Sequence, residues 1–134
     1  MATEATEKNK NVVITKTARE KLVHARAGAI SLPKIAGMAF GNGGVDSSGT
    51  VIPPEDTQET LYNEIYRKPI TSLSFPETTV CRYVCTLTEA ELAGYEISEI
   101  GLYDEEDDIV CMKTFTRKGK DDDVEQTYTL DDIF

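Results

Sequence analysis

Alternating apolar and polar positions are clearest in the second half of the chain. From Val80 to Leu87 the side chains follow a period of two, with Cys81, Tyr83, Cys85 and Leu87 on one face, which is typical of a half-buried strand. Three more strands are predicted, and the charged segments between them have the composition of turns. Those strands are 95–103, then 109–116, which pairs back on it as a hairpin, and 124–134. In the first of them Ile100 and Leu102 share one face and Tyr103 takes the other, and Gly101 permits a bulge or a close backbone approach.

The first half of the chain predicts one short helix. Ala18, Leu22, Ala25 and Ala29 recur at spacings of four, three and four and would form one apolar stripe. Thr17 followed by Glu20 has the spacing of a capping box, and Gly28 is a suitable helix stop. We therefore expect an amphipathic helix over residues 17–27, packed on a sheet.

A buried strand is expected at 35–40, followed by a long loop over 41–60. That loop contains four glycines and two prolines without periodicity, and loops of this length tend to be functional or mobile. We expect it to become ordered on assembly. Residues 1–10 are polar and are expected to form a disordered tail.

Residues 61–68 fit two periods, so the sequence leaves helix or strand open there. Pro69 would end a helix or mark an edge strand. Taken together, the pattern predicts one domain over 11–134 of the α+β class. It would be mainly β, an antiparallel sheet or sandwich with one short N-terminal helix packed on it.

The net charge of the chain limits the classes of partner that it can bind. Its 134 residues carry 24 acidic and 14 basic side chains, a net charge of −10. Such a surface repels nucleic-acid phosphates and anionic lipid, so we expect neither as a partner. No apolar run approaches the ~20 residues of a membrane span, and residues 1–11 lack the apolar segment of a secretory signal. Synthesis in a cytoplasm is expected.

Reactive clusters are not evident in the sequence. GNGG at 41–44 lacks the Lys-Ser/Thr of a phosphate loop, and DEEDD at 104–108 lacks the Gly and Glu of a calcium loop. Cys81, Cys85 and Cys111 are expected to be free core thiols, and His24 a helix residue without catalytic neighbours. We therefore predict no catalytic residue, metal or cofactor.

Four segments in order carry a family resemblance. They are Asn11-Val-Val-Ile-Thr with Lys21-Leu22, Ile35-Ala-Gly-Met-Ala-Phe-Gly-Asn-Gly, Leu61-Tyr-Asn-Glu-Ile-Tyr-Arg, and Glu99-Ile-Gly-Leu-Tyr-Asp. Their order and spacing over about 11–116 resemble the phage tail-collar fibre family, the N-terminal attachment domain of P2-like tail fibres. The motif residues assigned to assembly by this resemblance are Leu61, Asn63, Glu64, Tyr66, Arg67, Glu99, Ile100, Gly101, Leu102, Tyr103 and Asp104, with Gly41, Asn42, Gly43 and Gly44 as an assembly loop.

The resemblance implies a structural, non-catalytic tail protein that docks a fibre on the baseplate. Its partners would be baseplate or other tail proteins and further copies of itself, and its location the virion tail, after synthesis in a bacterial cytoplasm. The sequence reaches Phe134 without a fibre shaft. A short adaptor, a fibre base whose shaft is on another chain and a prophage remnant therefore stay open.

Two alternatives come from other functional classes. One is a small carbohydrate- or ligand-binding β domain, and the other is a small hydrolase that uses a pair of carboxylates.

Within the motif, Glu99 and Arg67 are opposite charges inside apolar segments. We expect them to pair across neighbouring strands in a bidentate ion pair.

Overall fold

A computed structural model describes residues 12–134, and this part of the chain is mainly β. It contains one helix, α1, at Lys16–Arg26. The strands are β1 Val12–Ile14, β2 Ile35–Gly41, β3 Glu64–Pro69, β4 Ser72–Glu77, β5 Val80–Leu87, β6 Glu96–Asp104, β7 Ile109–Gly119 and β8 Gln126–Ile133. The tail expected at 1–10 lies outside the described residues.

The strands form two antiparallel sheets, which confirms the predicted class. The larger sheet has the order β1-β7-β6-β2-β3, and the smaller one the order β4-β5-β8. The expected hairpin is β6 and β7, with Leu102 opposite Cys111. The last strand, β8, pairs with β5, so Leu130 faces Tyr83.

One face of the larger sheet packs against the smaller sheet in a common apolar core. Phe40 of β2 meets Tyr128 of β8 edge to face, with ring centroids 5.4 Å apart. The buried members of this core are Met38, Phe40, Cys85, Leu87, Ile97, Ile100, Leu102, Cys111 and Leu130. The two-residue period of β5 predicted this burial for Cys85 and Leu87.

The opposite face of the larger sheet is covered by the connection between β2 and β3. Leu61, from that connection, is buried in a second apolar cluster with Ala39, Tyr103 and Met112. Strand β6 is therefore enclosed on both faces, and all its residues after Glu96 are buried. The long loop is thus a layer of the fold; its backbone forms an isolated bridge between Val45 and Val51.

Helix α1 begins one residue earlier than predicted and has a different cap. Thr15 is the N-cap: its hydroxyl accepts the Ala18 N–H at 3.1 Å and donates to the Ile109 carbonyl at 2.8 Å. The predicted capping box of Thr17 and Glu20 is therefore wrong. The carboxylate at this helix end comes instead from Glu59 in the long loop, which accepts from the backbone of Lys16 and Thr17.

The ambiguous segment 61–68 enters strand β3 at Glu64. Tyr66 lies opposite Phe40 and Lys68 opposite Met38, so pairing with β2 selects the strand. Pro69 is the last residue of β3. At the end of α1, Gly28 follows the C-cap Ala27 and adopts φ +81°, as expected for a helix stop. None of the helical structure described here has the length and apolarity needed to cross a bilayer.

Candidate assembly site

Glu99 of β6 anchors both ends of the long loop. Its side chain is buried with the residue 1% exposed. One carboxylate oxygen accepts the Tyr62 N–H at 2.7 Å, and the other accepts the N–H groups of Asn63 at 2.8 Å and Gly43 at 2.9 Å. Three backbone donors thus satisfy one buried carboxylate, which fixes the loop on the sheet.

The glycines of the GNGG segment allow the backbone to come this close. A Cβ at Gly44 would lie 2.1 Å from the Ser98 carbonyl oxygen, and one at Gly41 would lie 2.5 Å from a Glu99 carboxylate oxygen. Gly44 also donates its N–H to the Ser98 hydroxyl at 2.9 Å. Asn42 is exposed, and its side chain accepts from the Asn63 amide at 2.6 Å. The predicted assembly loop is therefore joined to the motif segment that begins at Leu61.

The predicted pair of Glu99 and Arg67 is wrong. Strand β2 lies between β3 and β6, so the two residues are not on neighbouring strands. Arg67 instead makes a bidentate pair with Glu64, at 2.7 and 3.0 Å, and donates to the Asp107 carbonyl at 3.1 Å. The Glu64 hydrogen bonds raise the pKa of Arg67.

Arg67 also stacks on an aromatic ring of the motif. Its guanidinium carbon lies 4.6 Å from the centroid of Tyr103, within cation–π range. The Tyr103 ring in turn lies against Gly37, where a Cβ would be 2.2 Å from the Tyr103 hydroxyl oxygen. The motif residue Arg67 is therefore held on the loop-covered face of the sheet by Tyr103 and Glu64.

Tyr66 and Lys68, on the other face of β3, meet Glu91 in the segment between β5 and β6. Lys68 Nζ lies 2.7 Å from the Glu91 carboxylate and 2.7 Å from the Thr86 carbonyl oxygen, and the Tyr66 hydroxyl donates to Glu91. Burial opposes ionisation of Glu91, but these donors and the Thr88 N–H lower its pKa to about 2. Sequence reasoning missed Glu91, because nothing local marks it as different from Glu89.

The last motif residue, Asp104, is buried and joins α1 to the β6–β7 turn. Its carboxylate accepts hydrogen bonds from Lys21 Nζ at 2.7 Å and from the N–H groups of Glu106 and Asp108 at 3.0 and 3.2 Å. Lys21 Nζ also lies 2.9 Å from Glu106 and 2.8 Å from Asp108. The hydrogen bonds outweigh desolvation and raise the pKa of Lys21.

The carboxylate oxygens of Asp104, Glu106 and Asp108 lie within 4.8 Å of one another, close enough to hold a metal ion. The Lys21 ammonium contacts all three and supplies the positive charge there. The acidic turn predicted at 104–108 is confirmed, since these residues connect β6 to β7. Lys21, which pairs with this turn, belongs to one of the segments that carry the family resemblance, but no role was assigned to it there.

The other motif residues are packing residues. Ile100 and Leu102 face the core between the sheets, as their shared parity predicted. Gly101 lies under the loop, because a Cβ there would be 3.1 Å from a Leu61 methyl group. The nearest atom to that Cβ would be the Cys111 carbonyl oxygen at 3.0 Å, so the glycine gives the close backbone approach expected from the sequence.

His24 and the three cysteines are the candidate reactive residues of the sequence. His24 is exposed on α1, with Nδ1 2.8 Å from the Glu20 carbonyl oxygen. The three cysteines are free thiols. Burial raises the pKa of Cys85 to about 11 and also raises that of Cys111, so neither has the lowered pKa of an activated thiol.

Comparison with known proteins gives one family. Neither the curated proteins nor the solved structures contain a significant match to this chain. The family profile of the phage tail-collar fibre protein, N-terminal domain, matches residues 7–130, a wider range than the motif segments span. Residues 7–130 of the 134 are nearly the whole chain. The chain therefore belongs to the phage tail-collar fibre family and is a structural protein of the phage tail.

Proposed function

We propose that this chain is the attachment or adaptor module through which a tail fibre joins the baseplate, and that it acts by assembly without catalysis. Its partners are baseplate or other tail proteins, and it works as a homo-oligomer in the virion tail, as fibre proteins are symmetric assemblies. Nucleic acid and membrane are not among its partners. Family membership supports the tail location, and the geometry around β3 supports the mode of attachment.

The observation that carries the proposal is the open edge of β3. Among residues 12–134, β3 pairs with β2 alone and ends the order of the larger sheet. The Ile70 N–H donates to the Ala36 carbonyl of β2. Tyr66 and Lys68 lie four and two residues before Ile70, so their peptide groups also point toward β2. Because the peptide groups of alternate residues point to opposite neighbours, those of Arg67 point outward. Such an edge can pair with a strand of another chain.

The motif residues support this reading through their contacts. Glu99, Glu64 and Asp104 are each engaged by backbone or cationic donors. Their hydrogen bonds and ion pairs hold the loop, the sheet and the helix together, so these residues are structural in the proposal. In the proposal, Gly41–Gly44 anchor the loop, and its exposed turn, residues 46–50, is a second contact surface for a partner.

Co-expression of the full chain with the tail proteins encoded next to it tests the proposal. Two variants address the two surfaces. Ile65→Lys adds a further charge to β3, where Arg67 is already paired with Glu64 and Lys68 with Glu91. Natural edge strands use such additional lysines against pairing. Replacement of 46–50 by Asn-Gly joins Val45 and Val51, already opposite each other, by a two-residue hairpin turn.

Affinity capture should recover a tail partner with the natural chain and less of it with either variant. Thr129→Lys is the matched control, because Thr129 is exposed on β8, an edge strand of the smaller sheet. Light scattering of the purified chain should give a mass above one copy. Capture of no tail protein, or turnover of a substrate that requires one acid of the chain, would contradict the proposal.

A further inference from the structure

A second surface lies where α1, the segment before β2 and both sheets meet. They enclose a cleft of about 410 Å³ with a largely apolar lining. Leu22, Ile35 and Tyr83 form part of its wall. Three apolar side chains at its rim are exposed to solvent: Leu32 by 51%, Leu73 by 49% and Phe134 by 65%. Exposed apolar side chains that surround one cleft mark an interaction site.

Asp132 places a carboxylate in this apolar lining. It continues the row of Tyr128 and Leu130 on β8, whose side chains face the core, and it lines the cleft where that core ends. Burial alone raises the pKa of the Asp132 carboxyl group. None of the hydrogen bonds or ion pairs within residues 12–134 satisfies it, whereas its neighbour Asp131 pairs with Arg82 at 2.9 Å.

We propose that this cleft binds a segment of a partner tail protein that presents a lysine or arginine between apolar side chains. The basic group would meet Asp132, and the apolar side chains would cover Leu32, Leu73 and Phe134. The proposal rests on the proposed function for the class of partner, and it adds the chemistry of the segment and a surface separate from the β3 edge.

Charge decides between this occupant and a second copy of the chain. The chain has a net charge of −10, and the acidic turn 104–108 is next to the cleft through Asp104. Two lysines also line the cleft. Lys21 is engaged by three carboxylates of that turn, and Lys34 is exposed, with its backbone N–H on Glu105 of the same turn. A second copy would bring like charge to this surface, whereas a basic segment matches the acidic turn and can pair with Asp132, which has no ion pair among residues 12–134.

Selection from a displayed library of random dodecapeptides on the immobilised full chain tests the proposal. The selected peptides should carry a lysine or arginine flanked by apolar residues. Their Kd, measured by fluorescence anisotropy, should rise about tenfold or more in Asp132→Asn, because a charged hydrogen bond is lost. Asp123→Asn removes the same charge from an exposed turn and should change Kd less than about twofold.

Three outcomes would overturn the proposal. The selection could give no peptide, it could give peptides without a basic residue, or the selected peptides could bind the natural chain and Asp132→Asn with equal affinity. Matching thermal unfolding of the variants shows that they are folded. Affinity capture with co-expressed tail proteins then separates the two proposals. Absence of a basic peptide that depends on Asp132 rejects the cleft, and capture of tail proteins by the natural chain then still keeps the attachment function, whereas failure of the natural chain to capture any tail protein rejects the attachment function.

Discussion

Lys21 and Asp104 are 83 positions apart in the sequence, yet Nζ and Oδ2 lie 2.7 Å apart. The contact ties α1 to the end of β6, and Asp104 is 1% exposed. A buried carboxylate needs a cation and hydrogen bonds to offset the loss of water, and Lys21 supplies the cation.

Lys21→Met should lower the free energy of unfolding by about 2–4 kcal/mol, because it leaves Asp104 buried without its cation. Urea unfolding at neutral pH measures the loss. Lys16→Met is the matched control, since Lys16 lies 3.9 Å from Glu20 with both side chains exposed. It should cost less than about 0.5 kcal/mol. Equal losses for the two variants would show that Asp104 does not depend on Lys21.

Glu99→Gln should destabilise the fold by about 2–4 kcal/mol, because an amide cannot accept from three N–H groups and brings donors of its own. Hydrogen exchange should also become faster at the Gly43, Tyr62 and Asn63 amides, which are the three donors. Glu96→Gln on the same strand is the control, with a 3.9 Å contact to Arg117 and an exposed side chain. Unchanged exchange at the three amides would refute the anchoring role of Glu99.

Gly44→Ala should be strongly destabilising, by about 3 kcal/mol or more, since the added methyl group would overlap backbone that cannot move freely. Its Cβ would lie 2.1 Å from the Ser98 carbonyl oxygen. Gly119→Ala adds the same group where nothing lies within 4 Å, and its stability should stay within about 0.5 kcal/mol of the natural chain. Thermal unfolding compares the two, and similar melting temperatures would contradict the packing of the loop against β6.

Glu91 should make stability depend on acidic pH. Its pKa is lowered from 4.5 to about 2 in the folded chain, so the unfolded chain binds the proton more tightly. The stabilisation is complete above about pH 4.5 and is lost as the pH falls toward 2. It should amount to about 2–3 kcal/mol.

Urea midpoints measured between pH 2 and pH 6 test this dependence. Glu91→Gln should flatten the curve over that range, whereas Glu89→Gln should leave its slope nearly unchanged because Glu89 is exposed. A slope that persists in Glu91→Gln would assign the dependence to other carboxylates.

The sequence by itself determined the local features of this protein. The two-residue period of β5 and the parity of Ile100, Leu102 and Tyr103 placed side chains on the correct faces, because alternation along a strand depends on local backbone geometry. The acidic turn after β6, the stop at Gly28 and the family motif could also be identified without coordinates, since turn chemistry and motif spacing are properties of adjacent residues.

The tertiary structure decided which segments meet. Only strand order shows that β2 separates Arg67 from Glu99, and only the covering loop explains why β6 is buried on both faces. Thr15 became the N-cap through its bond to Ile109, and pairing with β2 made residues 64–69 a strand. These outcomes depend on contacts between residues far apart in the chain, and a local pattern of apolar and polar positions specifies the face of a residue but not its partner.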